Sequence, residues 1–345
     1  TGPADGAPDP SRLYDVDANG VAVGQVLPDG VSANRFGVVS FPDRSEMIDL
    51  EALCSTHPDY PAGWRLTFGY RISDNLLISG DLYDPSGVLH TFATQLIDDG
   101  PAADPTVAWF RHFRSTTYGA TSDYGYLRDA SEAGELLLQV EMDGPNSFLW
   151  DPVTDEAIGP FGYYFEVNNA RQMINRDELY DADQLPDLTP QPLPNTIDNR
   201  TEGDAWDNSE AGTVAGVIRN LKGQGAESLG RIVNGSWQAV GPSVSGMLHS
   251  AVCSINDAEQ ILGVSGGRLG FYFDDPTVGY RWVDDLVAGT TADLALWDSA
   301  EGIGFTSTAG ISLSDADSTG YGTICGARTV DGVERGFILT PVLAP

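Results

Sequence analysis

Residues 15–24 read "DVDANGVAVG". Asp15, Asp17, Asn19 and Gly20 carry the D-x-D-x-N-G spacing that opens an EF-hand calcium loop, where oxygen ligands fall at positions 1, 3 and 5 and glycine turns the chain at 6. Such a loop also needs a bidentate Glu at position 12 and a helix on each side. Position 12 here is Val26. The flanking residues alternate small and β-branched side chains, which is the period of strands. The stretch therefore reads as a polar turn joining two strands, in which short Asp and Asn side chains bond local backbone amides.

The same stretch recurs. "RISDNLLISG" (71–80), "RDASEAGELLLQ" (128–139), "DNSEAGTVAG" (207–216), "SINDAEQILGVS" (254–265) and "LSDADSTGYGTICG" (313–326) each place an Asp/Asn/Ser turn before a short aliphatic run. Six copies result. Each is followed by a second apolar element centred on Phe36, Phe92, Phe148, Leu229, Phe271 or Phe337. These hubs recur about every 60 residues, a length suited to one four-stranded unit with loops. In the copy at 254–265, "GMLHSAVCSI" reads as the first strand, "QILGVS" the second, "RLGFYFD" the third and "YRWVDDLV" the fourth. The pattern predicts an all-β chain, a six-bladed β-propeller of four-stranded antiparallel blades. A β-repeat solenoid or a sandwich is the alternative.

The pattern I-N-D-x-G-x-I-x-G followed by a [H/R]-[A/G]-F tripeptide resembles the HAF-repeat proteins, a family of extracellular bacterial proteins. The resemblance is carried by "SINDAEQILGVS", by His90-Thr91-Phe92 and by Arg335-Gly336-Phe337. In the third and fourth copies Asn146-Ser147-Phe148 and Glu227-Ser228-Leu229 stand in place of the tripeptide. The resemblance implies secretion, a β-repeat architecture and a C-terminal sorting tail after an ending like "FILTPV". It brings no catalytic residue with it.

Composition narrows the partners. Fifty acids against eighteen bases give a formal net charge of −32, and seventeen of the bases are arginine, with Lys222 the single lysine. Such a surface repels nucleic acid and anionic lipid. It tolerates high ionic strength, where self-repulsion is screened, so a saline extracellular setting is expected. No stretch approaches the roughly 18 apolar residues of a membrane-spanning helix. Cys54, Cys253 and Cys325 contain no C-x-x-C pair, which argues against zinc, and they leave both free thiols and one disulfide open.

Residues 1–12, "TGPADGAPDPSR", read as a flexible arm, and 13–345 as one domain. Residues 177–204, acidic with four prolines, read as a surface insertion, because proline is excluded from interior strands. Gly263–Gly267 match G-x-S-x-G, but a nucleophile elbow needs a following helix, and a strand follows here. The four histidines, His57, His90, His112 and His249, show no metal-binding spacing. His90, inside the repeat tripeptide, reads as a structural histidine of its blade. The glycines of "GQGAESLG" (223–230) lack the dinucleotide-binding spacing.

Two constellations stand as candidate sites. "WFRHFR" (109–114) is the basic cluster of an acidic chain. Its Trp109, Arg111, His112 and Arg114 combine cations with an aromatic face, which suits an anionic glycan, with strand arginines paired to neighbouring acids as the other reading. Asp15 and Asp17, Asp129 and Ser131, Asp207 and Ser209, and Asp315 and Asp317 share a D-x-[D/S] spacing whose oxygens could chelate calcium or merely cap the turns. No other cofactor is expected. The functional expectation is a secreted, non-enzymatic structural or interaction protein of the cell surface or an extracellular assembly, partnered by other extracellular proteins or by itself. The rival is an extracellular propeller that binds or cleaves polysaccharide.

Overall fold

The computed structural model describes residues 10–341 apart from 29–33, 120–124, 132, 141–145, 163, 165, 176–177, 185–190, 195, 199–200, 210, 221–225, 244–249, 266–267, 274–278, 287–310 and 331–332. The described strands form seven antiparallel sheets, each a meander of consecutive strands. The fold is all-β, and these sheets are the blades of a β-propeller, seven where the sequence predicts six. Five blades have four strands, the fifth has five, and three are described in the seventh. The first strands are Ser11–Val16, Arg65–Ile72, Gly125–Ala130, Glu166–Val167, Thr201–Asn208, Ser250–Ile255 and Ser312–Ala316. In the fifth blade a short strand, Thr196–Asp198, precedes that one.

The additional blade is the fourth in chain order, and its last two strands lie inside the segment 177–204 that the sequence marks as a surface insertion. Glu166–Val167, Gln172–Ile174, Glu178–Asp181 and Gln191–Pro192 make the fourth sheet, and Thr196–Asp198 already belongs to the fifth. Its strands are two to four residues long, too short for alternation to register. Pro192 sits on an edge strand, where its missing N–H costs no ladder bond. The strands read in "GMLHSAVCSI" through "YRWVDDLV" are present as Ser250–Ile255, Ile261–Ser265, Arg268–Tyr272 and Tyr280–Trp282. Ser11 and Arg12, assigned above to the arm, open the first strand.

One turn builds every blade. It begins at Asp17, Ser73, Ser131, Asn168, Ser209, Asn256 and Asp317. In each, the first residue's N–H donates to the carbonyl four residues on, and the fourth residue's N–H donates back to the first carbonyl, at 2.8–3.2 Å. The fourth residue must then adopt positive φ. It is Gly20 (80°), Leu76 (62°), Gly134 (94°), Arg171 (56°), Gly212 (86°), Glu259 (57°) and Gly320 (82°). Glycine enters that region without penalty and the other three do not.

Three residues before the turn, the first strand bulges. Tyr14, Tyr70, Arg128, Trp206 and Cys253 each drop out of register with the second strand. The residue before the bulge then opposes Gly24, Gly80, Leu138, Gly216 or Gly263. At two of these glycines the reason is steric: a Cβ on Gly24 would lie 1.9 Å from the Arg12 carbonyl oxygen, and one on Gly80 2.0 Å from that of Phe68.

The described blades divide into two compact units: Thr1–Tyr164 with Cys325–Ala327 and Gly336–Ile338, and Phe165–Ile324 with Arg328–Arg335 and Leu339–Pro345. Within the first, Val23, Val39, Leu66, Ile78, Phe92 and Phe110 pack between blades one and two. Leu77, Phe113, Leu138, Phe148 and Trp150 fill the space between blades two and three. Leu13, Val16 and Ala22 pack with Cys325, and Ser11 Oγ accepts the Gly336 N–H at 3.0 Å. In the second unit Ala215, Leu229, Val252 and Ile261 do the same for blades five and six.

The six hubs all lie on third strands of the regular meander. Their registers differ, however. Phe92 and Phe148 oppose the residue seven places after the turn begins, while Phe36, Leu229 and Phe271 oppose the ninth, eighth and sixth. Phe36 and Phe337 are half-buried, and the other four are buried. The turn, not the aromatic hub, is the equivalent position.

Gly24→Ala should therefore cost about 3 kcal/mol, because backbone atoms must move to admit the methyl group. Gly20→Ala keeps open space, its nearest neighbour being Pro42 at 3.8 Å, and should cost only about 1 kcal/mol for the left-handed backbone. Urea unfolding of both variants measures the difference, and equal costs would contradict the bulge-glycine account.

Candidate functional site

The turn aspartates divide into two roles. Asp17 is buried, and its Oδ1 accepts the N–H groups of Asn19 and Val21 at 2.9 and 2.8 Å. Burial nevertheless pushes its carboxyl up to about 6, with a smaller push from Asp74. Asp317 Oδ1 accepts Thr319 N–H at 2.6 Å in the same way. Ser131 and Ser209 Oγ accept the N–H groups of Glu135 and Thr213, each at 3.2 Å.

The aspartates two residues earlier reach a neighbouring blade instead. Asp15 Oδ2 accepts Ile72 N–H at 2.9 Å, and Asp207 Oδ2 accepts Ile255 N–H at 2.8 Å, the same contact in two places. Asp315 accepts Asp257 N–H at 3.0 Å, and Asp129 pairs with Arg71 at 2.9 Å. The D-x-[D/S] spacing thus serves as a turn cap and a blade-to-blade latch. Among the described residues no group of three or more His, Cys, Asp or Glu is placed to hold a metal ion.

"WFRHFR" lies on the fourth strand of blade two, Thr106–His112, and just beyond it. Phe110 and Phe113 are buried, Phe110 stacked on Phe92 at 5.8 Å and Phe113 against Trp150 at 5.4 Å. Half-buried Trp109 packs on the core between blades two and three. Arg111 donates to the Pro152 carbonyl at 2.8 Å. His112 and Arg114 do come together, with Arg114 Nε 3.4 Å from His112 Nε2, and Trp64 packs on both His112 and His90 at 4.9 and 4.5 Å. His90 Nε2 lies 3.6 Å from Asp84 of its own blade. The structure therefore joins Arg114 to His112 and His112 to Trp64, and turns Trp109 and Arg111 toward blade three.

The three cysteines are free thiols. Burial pushes the Cys54 thiol up to about 12, which keeps it protonated and unreactive at neutral pH.

A further cluster escaped the sequence reading. Tyr14 and Tyr70 occupy the same bulge position in blades one and two, which aims both rings at one place, 5.1 Å apart. Phe68 stacks on Tyr70 at 5.0 Å with an interplanar angle of 9° and meets Tyr14 edge-on at 6.1 Å. The Arg35 guanidinium lies over the Phe68 ring at 4.5 Å. Behind them Asp81, on the second strand of blade two, is 6% exposed and hydrogen bonds to the Tyr70 phenol. Burial pushes its carboxyl up to about 7, against the opposing pull of Tyr70 and Arg35. The Tyr70 phenol is raised as well, first by burial and then by Asp81. The signal in the sequence was an acid inside an otherwise apolar run, "LLISGDLY", where a solvated carboxylate has no place.

No known family model matches the chain, and no curated protein matches it.

Two measurements check these assignments. Asp15→Ala and Asp207→Ala should each cost about 2 kcal/mol, because a backbone N–H loses a charged acceptor; chelator should leave the wild-type melting temperature unchanged, and a chelator-induced drop would return calcium to these turns. For Asp81, the native state holds its proton up to about 7, whereas an unperturbed aspartate carboxyl loses it near 3.8. Its contribution to stability is thus complete below pH 4 and lost as pH rises to 7. Asp17 titrates with the same sign, so the difference between wild type and Asp81→Asn isolates Asp81. The variant's stability profile should be flatter between pH 4 and 7; parallel profiles would remove the raised carboxyl.

Proposed function

We propose that the protein is a secreted, non-enzymatic interaction module, working at the cell surface or as a subunit of an extracellular assembly. The observation that carries this reading is where its repeated polar residues go. The aspartates in the turns and two residues before them are spent on backbone amides of their own and neighbouring blades, which builds a stiff scaffold and leaves binding to the surface between them. A net charge of −32 favours cationic protein partners over nucleic acid and anionic lipid. The resemblance of the turn motif to HAF repeats supports secretion. Among the described residues no helix is long and apolar enough to cross a membrane.

Binding of an anionic polysaccharide is the second reading, favoured by Trp64 beside His112 and Arg114. The test is fractionation of the source cells followed by sedimentation of the purified protein and glycan-array binding. Recovery in the extracellular or surface fraction, with self-association or retention of a basic protein, supports the interaction role. Turnover of a polysaccharide would overturn it, and glycan binding lost in Arg114→Ala would favour the second reading. Melting temperature should also climb from millimolar to marine sodium chloride, since screening relieves carboxylate repulsion; a flat response would count against a saline setting.

A further inference from the structure

The cluster around Asp81 has the composition of a cation receptor. Three aromatic rings, Tyr14, Phe68 and Tyr70, converge from two blades, and a buried carboxyl group stands behind them, bonded to one ring's hydroxyl. Aromatic faces attract cations through their quadrupoles, and above pH 7, where Asp81 is ionised, its carboxylate in a poorly solvated setting adds a stronger, less screened pull. A guanidinium is already there: Arg35 lies over Phe68 and acts electrostatically on Asp81. Arg35 and Tyr70 are half-buried, while Tyr14, Phe68 and Asp81 are buried, so Arg35 and Tyr70 are the members of the box that meet solvent.

We infer that this box is a guanidinium-binding site, with Arg35 its resident occupant in cis and an arginine side chain of a cationic protein partner its ligand in trans. The inference rests on the interaction reading above and names the partner chemistry for it. Three features favour a guanidinium over other ligands. Arg35 shows that the group fits the ring face. The planar cation stacks on aromatic rings and is more weakly hydrated than an ammonium, so it enters a half-buried box at less cost. The chain's negative charge draws basic segments toward it. Because the resident arginine competes, the wild-type site binds an added guanidinium more weakly than the vacated box does, by the fraction of time Arg35 leaves it free.

The experiment uses N-acetyl-L-argininamide as probe and N-acetyl-L-citrullinamide, its neutral isostere, as control. Binding to the full chain is followed by titration calorimetry and by thermal shift. Argininamide should bind wild type weakly but saturably. It should bind Arg35→Ala at least tenfold more tightly and restore part of the melting temperature that this variant loses. The citrulline isostere should do neither. The gain should vanish in Arg35→Ala/Asp81→Asn and shrink in Arg35→Ala/Tyr70→Leu, each with its fold verified by near-ultraviolet circular dichroism. If Asp81→Asn does not fold, Tyr14→Leu in the Arg35→Ala background serves in its place.

Equal binding of the two probes to Arg35→Ala, or a gain that survives loss of Asp81 or of Tyr14, would overturn the assignment. The broader reading fails separately. Argininamide binding with no partner or self-association leaves the box and removes the interaction role, whereas a retained partner insensitive to argininamide leaves the role and removes the box from it.

Discussion

The structure depends on one five-residue turn. Two reciprocal backbone hydrogen bonds close it in all seven blades and force its fourth residue to positive φ. Everything downstream is set by that geometry. The first strand enters the turn through a bulge, the bulge crowds the second strand, and glycine opposite it relieves the crowding at Gly24 and Gly80. Two residues before the turn, directly after the bulged residue, stands the aspartate that takes an amide of the next blade at Asp15 and Asp207.

The same logic separates what was legible in the sequence from what was not. Five turns announce themselves through glycine or the Asn-Asp pair, and "DVDANG" was correctly read as a hairpin because Val26 stands where a calcium ligand is needed. The fourth turn, Asn168–Gln172, hides because Arg171 fills the positive-φ slot and its strands are too short to alternate. Yet its side-chain network is that of Asn256–Gln260. Asn168 Nδ2 bonds Gln172 Oε1 at 3.1 Å and Ser209 O at 3.0 Å, and Asn256 Nδ2 bonds Gln260 Oε1 and Ser314 O, both at 3.0 Å. Aligning "NNARQ" on "NDAEQ" was the available clue. The aromatic hubs misled on register, since a phenylalanine can fill the space between sheets from several rungs of one strand while a hydrogen-bonded turn cannot slide.

Candidate sites were less legible for a physical reason. Local spacing shows which atoms a turn can gather, but the Asp81 cluster is assembled from four separate segments, around Tyr14, Arg35, Phe68–Tyr70 and Asp81. None of these carries a motif. In "WFRHFR" the strand period sends neighbouring residues to opposite faces, so a compact run of cations and rings was divided between two cores and an edge.

The bulge explains how a repeat can hold its fold while varying its chemistry. Its position carries Tyr14, Tyr70, Arg128, Trp206 and Cys253 in five blades, aromatic in three and otherwise a cation or a thiol on the same backbone. The turn, the latch aspartate and the opposing glycine supply the stability, and the bulged side chain is displaced from the ladder those parts maintain. The side chain there can vary while the hydrogen bonds that hold the blades stay in place. Two tyrosines at adjacent bulges, with a buried carboxyl group behind them, are what that freedom has produced in blades one and two.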